Sequence, residues 1–122
     1  MAQIIDGKSI AATERELLVA RIEKLKAAGV IPGLCVILVG EDPASLTYVS
    51  SKEKMAHALN MKGVIHRLPA ETSQQELIKQ IELLNADDSI HGILVQLPLP
   101  SHLDADAVAE AIIPEKDIDG LH

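Results

Sequence analysis

The chain has 122 residues, with 11 Lys plus Arg against 18 Asp plus Glu and a formal net charge of −7. One Tyr, no Phe and no Trp leave neither a basic stripe nor stacking aromatics for nucleic acid, and no stretch approaches the roughly 20 apolar residues of a membrane span. The length fits one domain with a single modest core, and the lone cysteine excludes an internal disulfide framework and fits a reducing compartment.

The N-terminus MAQIIDGKSI carries Asp6 and lacks an uninterrupted apolar run, so it does not read as a signal peptide, and a cytoplasmic domain is expected. Residues 7–28 read as a long amphipathic helix. Ile10, Leu17, Leu18, Ile22 and Leu25 form its apolar stripe, and Gly29 supplies the stop. Pro32 and Gly33 turn the chain into LCVILVG (34–40), a continuous apolar run suited to a central parallel strand, with Cys35 a buried thiol. Asp42 is a good N-cap and Pro43 a good first helical residue, so the next helix runs from 43 to about 60. Gly63 introduces a second strand, VIHRL (64–68). Thr72 or Ser73 caps a third helix, which carries Leu77, Ile81 and Leu84 and ends at Asn85. The third strand, IHGILVQL (90–97), is stopped by Pro98 and Pro100, which cannot donate to a sheet ladder. A short helix from about 104 to 112 and the polar turn PEKDIDG follow. Helices alternating with apolar strands at this spacing predict one three-layer α/β/α domain over 1–122, with a mainly parallel sheet.

Ser45, Tyr48 and Lys52 follow the start of the second helix at spacings of three and four, so they share one face. In a doubly wound sheet that helix begins near the carboxyl edge, where ligands bind. A flat ring beside an amine suits a site that grips a planar ligand and moves a proton on it. The same pair also fits a core ring and a lysine that snorkels to the surface. Gln96 either points into the cleft or plugs a local backbone group, and the prolines after it stiffen the strand exit. Asp117 and Asp119, in EKDIDG, suit either an Asx turn or, at Asp119, paired acceptance from a ligand's N–H groups. His57, His66, His91, His102 and His122 are scattered, and a DxD pair alone is common, so no metal is expected. LVGEDPAS has one glycine where a dinucleotide fingerprint needs three. P-loop and GxSxG patterns are absent, and Ser45 has no convincing histidine and acid partners for nucleophilic work.

Taken in order, VGEDPASLTYVSSKEKM (39–55), NADDSIHGILVQLPLP (85–100) and PEKDIDG (114–120) resemble the bifunctional methylenetetrahydrofolate dehydrogenase/methenyltetrahydrofolate cyclohydrolase family. The resemblance covers nearly the whole chain but only the first portion of that family. It implies the substrate-binding, catalytic domain of a longer cytoplasmic homodimer, either natural or cut. In that enzyme a Rossmann NADP-binding domain and a returning C-terminal helix would follow. By the resemblance Lys52 would be the main acid/base, Tyr48 the ring against the folate, and Gln96 the group orienting Lys52. Asp119 would bind the pterin N–H groups, and Ser45 would make a secondary contact. Leu46 departs from the pattern, standing where the family often has glutamine.

The implied activity is one-carbon interconversion on tetrahydrofolate. It comprises NADP-dependent oxidation of the 5,10-methylene form and hydrolysis of the resulting methenyl cation to the 10-formyl form. The residue types agree with that chemistry. A substrate cation favours a neutral Lys52 able to take a proton, Tyr48 offers a π face, and Asp119 fixes orientation. NADP would be held by the missing domain, so the chain alone is expected to bind folate weakly and to lack hydride transfer. The competing expectation is a non-catalytic α/β ligand-binding or assembly domain in which Tyr48 only fills the core. A related α/β domain of another dehydrogenase is a third.

Overall fold

The structure is a computed structural model and describes residues 6–120. His122 and the first five residues of the stretch weighed as a signal peptide lie outside the described residues.

The order of elements is α1 (Gly7–Ala27), β1 (Gly33–Val39), α2 (Pro43–Ala58), β2 (Lys62–Leu68), α3 (Gln74–Asn85), β3 (Gly92–Val95) and α4 (Ala105–Ala111), then a 3-10 turn at Pro114–Lys116. The sheet runs β2-β1-β3 and both of its pairings are parallel, giving the α/β fold expected from the alternation of elements. Each main helix starts where a side chain can accept its free N–H groups. Asp6 serves α1, Asp42 serves α2 ahead of Pro43, Ser73 serves α3 and Asp104 serves α4.

Alternation along β1 divides the core between the two faces of the sheet. Cys35, Ile37 and Val39 point to one side, where they meet Ile93 and Val95 of β3, Leu77, Ile81 and Leu84 of α3, and Val108 of α4. Val36 and Leu38 point to the other side, with Leu94 and Val49 of α2. The crossovers through α2 and α3 therefore cover opposite faces, as a doubly wound sheet requires. Full burial of a side chain such as Ile37 or Leu77 stabilises the fold by roughly 1.5–3 kcal/mol.

Two expectations change. Helix α1 forms, but of its proposed stripe only Ile22 is buried, while Ile10, Leu17, Leu18 and Leu25 remain exposed. Periodicity predicts a helix with an apolar side, and says nothing about whether the domain's own layers cover that side. Strand β3 is also shorter than 90–97. Gln96 N–H donates the last ladder bond, 2.9 Å to Ile37 O, and the cis Leu97–Pro98 peptide then leads the chain out of the sheet. At the other end, Gly33 is required by contact, because a Cβ there would collide with the Ser89 carbonyl oxygen. Its N–H donates to His91 Nδ1 at 2.9 Å.

Candidate active site at the carboxyl end of the central strand

The strand order creates a crevice. From β1 the chain passes through α2 to β2 on one side, while β3 lies on the other, so the carboxyl ends of β1 and β3 flank a topological switch point. Gly40 turns the chain out of β1 with φ +85°, a left-handed conformation that favours glycine, and its N–H donates to Leu68 O. Asp42 Oδ1 then accepts from Ser45 N–H at 2.9 Å and sets the first turn of α2.

From that start, Ser45, Val49 and Ala56 turn inward and are buried. Lys52, seven residues past Ser45, is half-buried and reaches over the end of β3. Its Nζ donates to Gln96 Oε1 at 2.6 Å. Gln96 Nε2 donates to Leu97 O at 3.2 Å, which leaves the amide oxygen turned toward the amine. The two bonds agree, because an ammonium can only donate and the glutamine must present its oxygen to it. Ser45 is 1% exposed, and its Oγ donates to the same Leu97 carbonyl at 3.4 Å. Ser45 thus stands behind the Gln96–Leu97 turn and does not line the open cleft.

Tyr48 is 58% exposed, so the reading of this ring as core packing fails. Its only aromatic face is presented to solvent one helical turn before Lys52. Asp119 is exposed as well and, with Asp117, lines a small cleft of about 40 Å³ whose walls include Ile93, Val95, Leu97, Val108 and Ile112. Leu97 links the two halves of the site, because its carbonyl holds Gln96 and the residue lines the cleft of Asp119. Asp117 takes the structural role. It bridges to Ile93 of β3 and its Oδ1 accepts from Gly120 N–H at 3.1 Å, forming the turn that carries Asp119.

The remaining groups are structural. His91 accepts from Gly33, and His102 Nε2 lies 2.8 Å from Thr72 O. Cys35 is fully buried, as its apolar run predicts, and its thiol is pushed up to about 11. Burial is the first cause and Asp87 the second, with Lys62 opposing them. Sequence reasoning gave no site role to Asn85 or Lys116, whose bonds join the end of α3 to the 111–117 segment across about 30 residues and leave no local signal. Among the described residues, no helix is long and apolar enough to cross a membrane.

Residues 5–119 match the family model described as tetrahydrofolate dehydrogenase/cyclohydrolase, catalytic domain. The chain belongs to this family. It is 59% identical over 120 residues to the bifunctional protein FolD of Campylobacter fetus, covering 98% of this chain and 42% of that protein. Against the crystal structure of the bifunctional enzyme FolD from Campylobacter jejuni the TM-score is 0.94 at 47% identity, covering 96% of this chain and 42% of that one. Against the Trypanosoma brucei enzyme, solved with NADP cofactor and inhibitor, it is 0.88 at 37% identity, covering 95% and 40% of the two chains. This member of the dehydrogenase/cyclohydrolase family therefore spans less than half the length of the relatives it matches.

Proposed function

We propose that this chain is the tetrahydrofolate-binding, acid/base part of a bifunctional enzyme. That enzyme oxidises 5,10-methylenetetrahydrofolate with NADP and hydrolyses the methenyl product to 10-formyltetrahydrofolate. The observation that carries the reading is the 2.6 Å Lys52–Gln96 bond at the switch point, one helical turn from an exposed tyrosine.

In the hydrolytic half, water adds to the carbon of the N5–CH–N10 cation. Lys52, as the neutral amine, takes a proton from that water, and the adduct carries a hydroxyl on carbon. The C–N5 bond then breaks while the second oxygen proton leaves. Lys52 returns one proton to N5, and one proton goes to solvent. Gln96 Oε1 holds the ammonium in place between the two transfers. Tyr48 supplies a π face to the flat cation, Asp119 accepts from the pterin N–H groups, and Ser45 acts through the Leu97 carbonyl rather than by touching ligand.

The residues of this chain do not fit NADP, because the turn after β1 has the single glycine Gly40 and no dinucleotide fingerprint. No hydride step is assigned to them. The cofactor would be held by the part of the longer relatives that this chain does not span, where a homodimer contact and a cytoplasmic setting also belong to the proposal.

Titration with tetrahydrofolate tests the reading. Saturable binding is expected, lost in Asp119→Ala with unchanged circular dichroism. In the longer enzyme Lys52→Ala is expected to abolish hydrolysis while the fold persists, and near-normal hydrolysis there would remove Lys52 from its role.

A further inference from the structure

The turn that carries Asp119 has little packing of its own. Pro114, Glu115, Asp119 and Gly120 are exposed, and Ile118 is 52% exposed, with a methyl resting where Gly92 has no side chain. Polar bonds hold it instead, and they converge on the carbonyl end of α3. Lys116 Nζ donates to Leu84 O at 3.0 Å, Asn85 O at 2.8 Å and Asp87 O at 2.9 Å. An ammonium has three N–H donors, so each one has an acceptor. The last carbonyls of a helix lack intrahelical partners and carry the negative end of its dipole, which makes this a favourable seat for a cation.

The neighbouring residue continues the clasp. Asn85 Nδ2 donates to Ala111 O at 2.8 Å, and Asn85 Oδ1 accepts from Ile113 N–H at 3.2 Å. The end of α3 thereby grips the chain on both sides of Ile112, and Lys116 carries the grip to the residue before Asp117. Asp117 then bridges to β3 and closes the turn onto Gly120. Asp119 is thus located by a bridge to β3 and by a cation seated on α3.

We propose that Lys116 is a positioning residue, fixing through the carbonyl end of α3 the turn that presents Asp119 to the substrate. The proposal rests on the reading of Asp119 as the pterin-binding carboxylate. Lys116 touches no ligand in this scheme. It limits where the Asp119 carboxylate can sit, and a small displacement of a binding group is enough to weaken affinity.

The test is Lys116→Met in the 122-residue chain, titrated with tetrahydrofolate and followed by amide hydrogen exchange. The expected result is about tenfold weaker binding at unchanged stoichiometry, with faster exchange confined to 113–120. A merely stabilising lysine would weaken apparent binding only as far as the folded fraction, measured by urea unfolding under the same conditions, falls, and that outcome overturns the proposal. Unchanged exchange across the turn overturns it too. Asp119→Asn run in parallel separates the two claims. If it weakens binding and Lys116→Met does not, positioning by Lys116 fails while the folate reading stands. If Asp119→Asn binds like the parent chain, the reading of Asp119 itself fails. Should Lys116→Met not fold, Lys116→Gln, which keeps two donors, carries the same comparison.

Discussion

Deleting both ends of the Lys52–Gln96 bond, singly and together, gives a measurement that needs no substrate. The 2.6 Å separation marks a strong contact, and hydrogen bonds to charged groups contribute about 1.5–3 kcal/mol net. Both residues are half-buried, so water replaces part of what is lost and the value falls below that range, to about 1 kcal/mol of coupling. Lys52→Met, Gln96→Met and the double variant, unfolded in urea, form the cycle. With a slope of about 1.5 kcal/mol per molar, each single change should move the midpoint by roughly half a molar or more. The double variant should then cost about 1 kcal/mol less than the sum of the singles. Strict additivity would refute the reasoning, because it would mean the amine and amide do not meet in solution. The aliphatic parts of both side chains are retained by methionine, so lost packing cannot mimic the coupling.

Three further outcomes follow from burial and contact. Tyr48→Ala should leave stability within about 0.5 kcal/mol, as surface changes do, yet weaken tetrahydrofolate binding, and a large fall in melting temperature would return the ring to the core. Gly33→Ala should destabilise by about 3 kcal/mol, because its methyl group meets the fixed Ser89 carbonyl, and an unchanged urea midpoint would show that this loop yields freely. The Cys35 thiol titrates near 11 when folded and about 9 when exposed, so its neutral form favours the native state. Its contribution is complete below pH 9 and fades as pH rises toward 11, by about 3 kcal/mol in all. Urea midpoints should fall more steeply over that interval than in Cys35→Ala, and parallel slopes would count against the assignment.

Much of this molecule was legible in residue order. The cap at Asp42, the cap placed at Thr72 or Ser73, and the apolar run through Cys35 and Ile37 located helix and strand starts, because those signals are local. The Tyr48–Lys52 face was legible for the same reason. What escaped depended on distant partners. Whether Tyr48 was core or surface turned on how the layers stack, and the stripe of α1 could not reveal that only Ile22 would be covered. Asp117 and Asp119 look alike in EKDIDG and both line the cleft, and only the bridge to β3 and the bond from Gly120 N–H set Asp117 apart.

The placement of β1 between β2 and β3 has a kinetic consequence. Parallel neighbours cannot be joined by a tight hairpin, so each pairing waits for a helix-length loop to close. Lys52 and Gln96 are 44 residues apart and meet only once β3 has docked beside β1. Such long-range closure belongs to the slow part of folding. The Lys52–Gln96 pair is therefore assembled late, and its formation reports that the sheet has been completed.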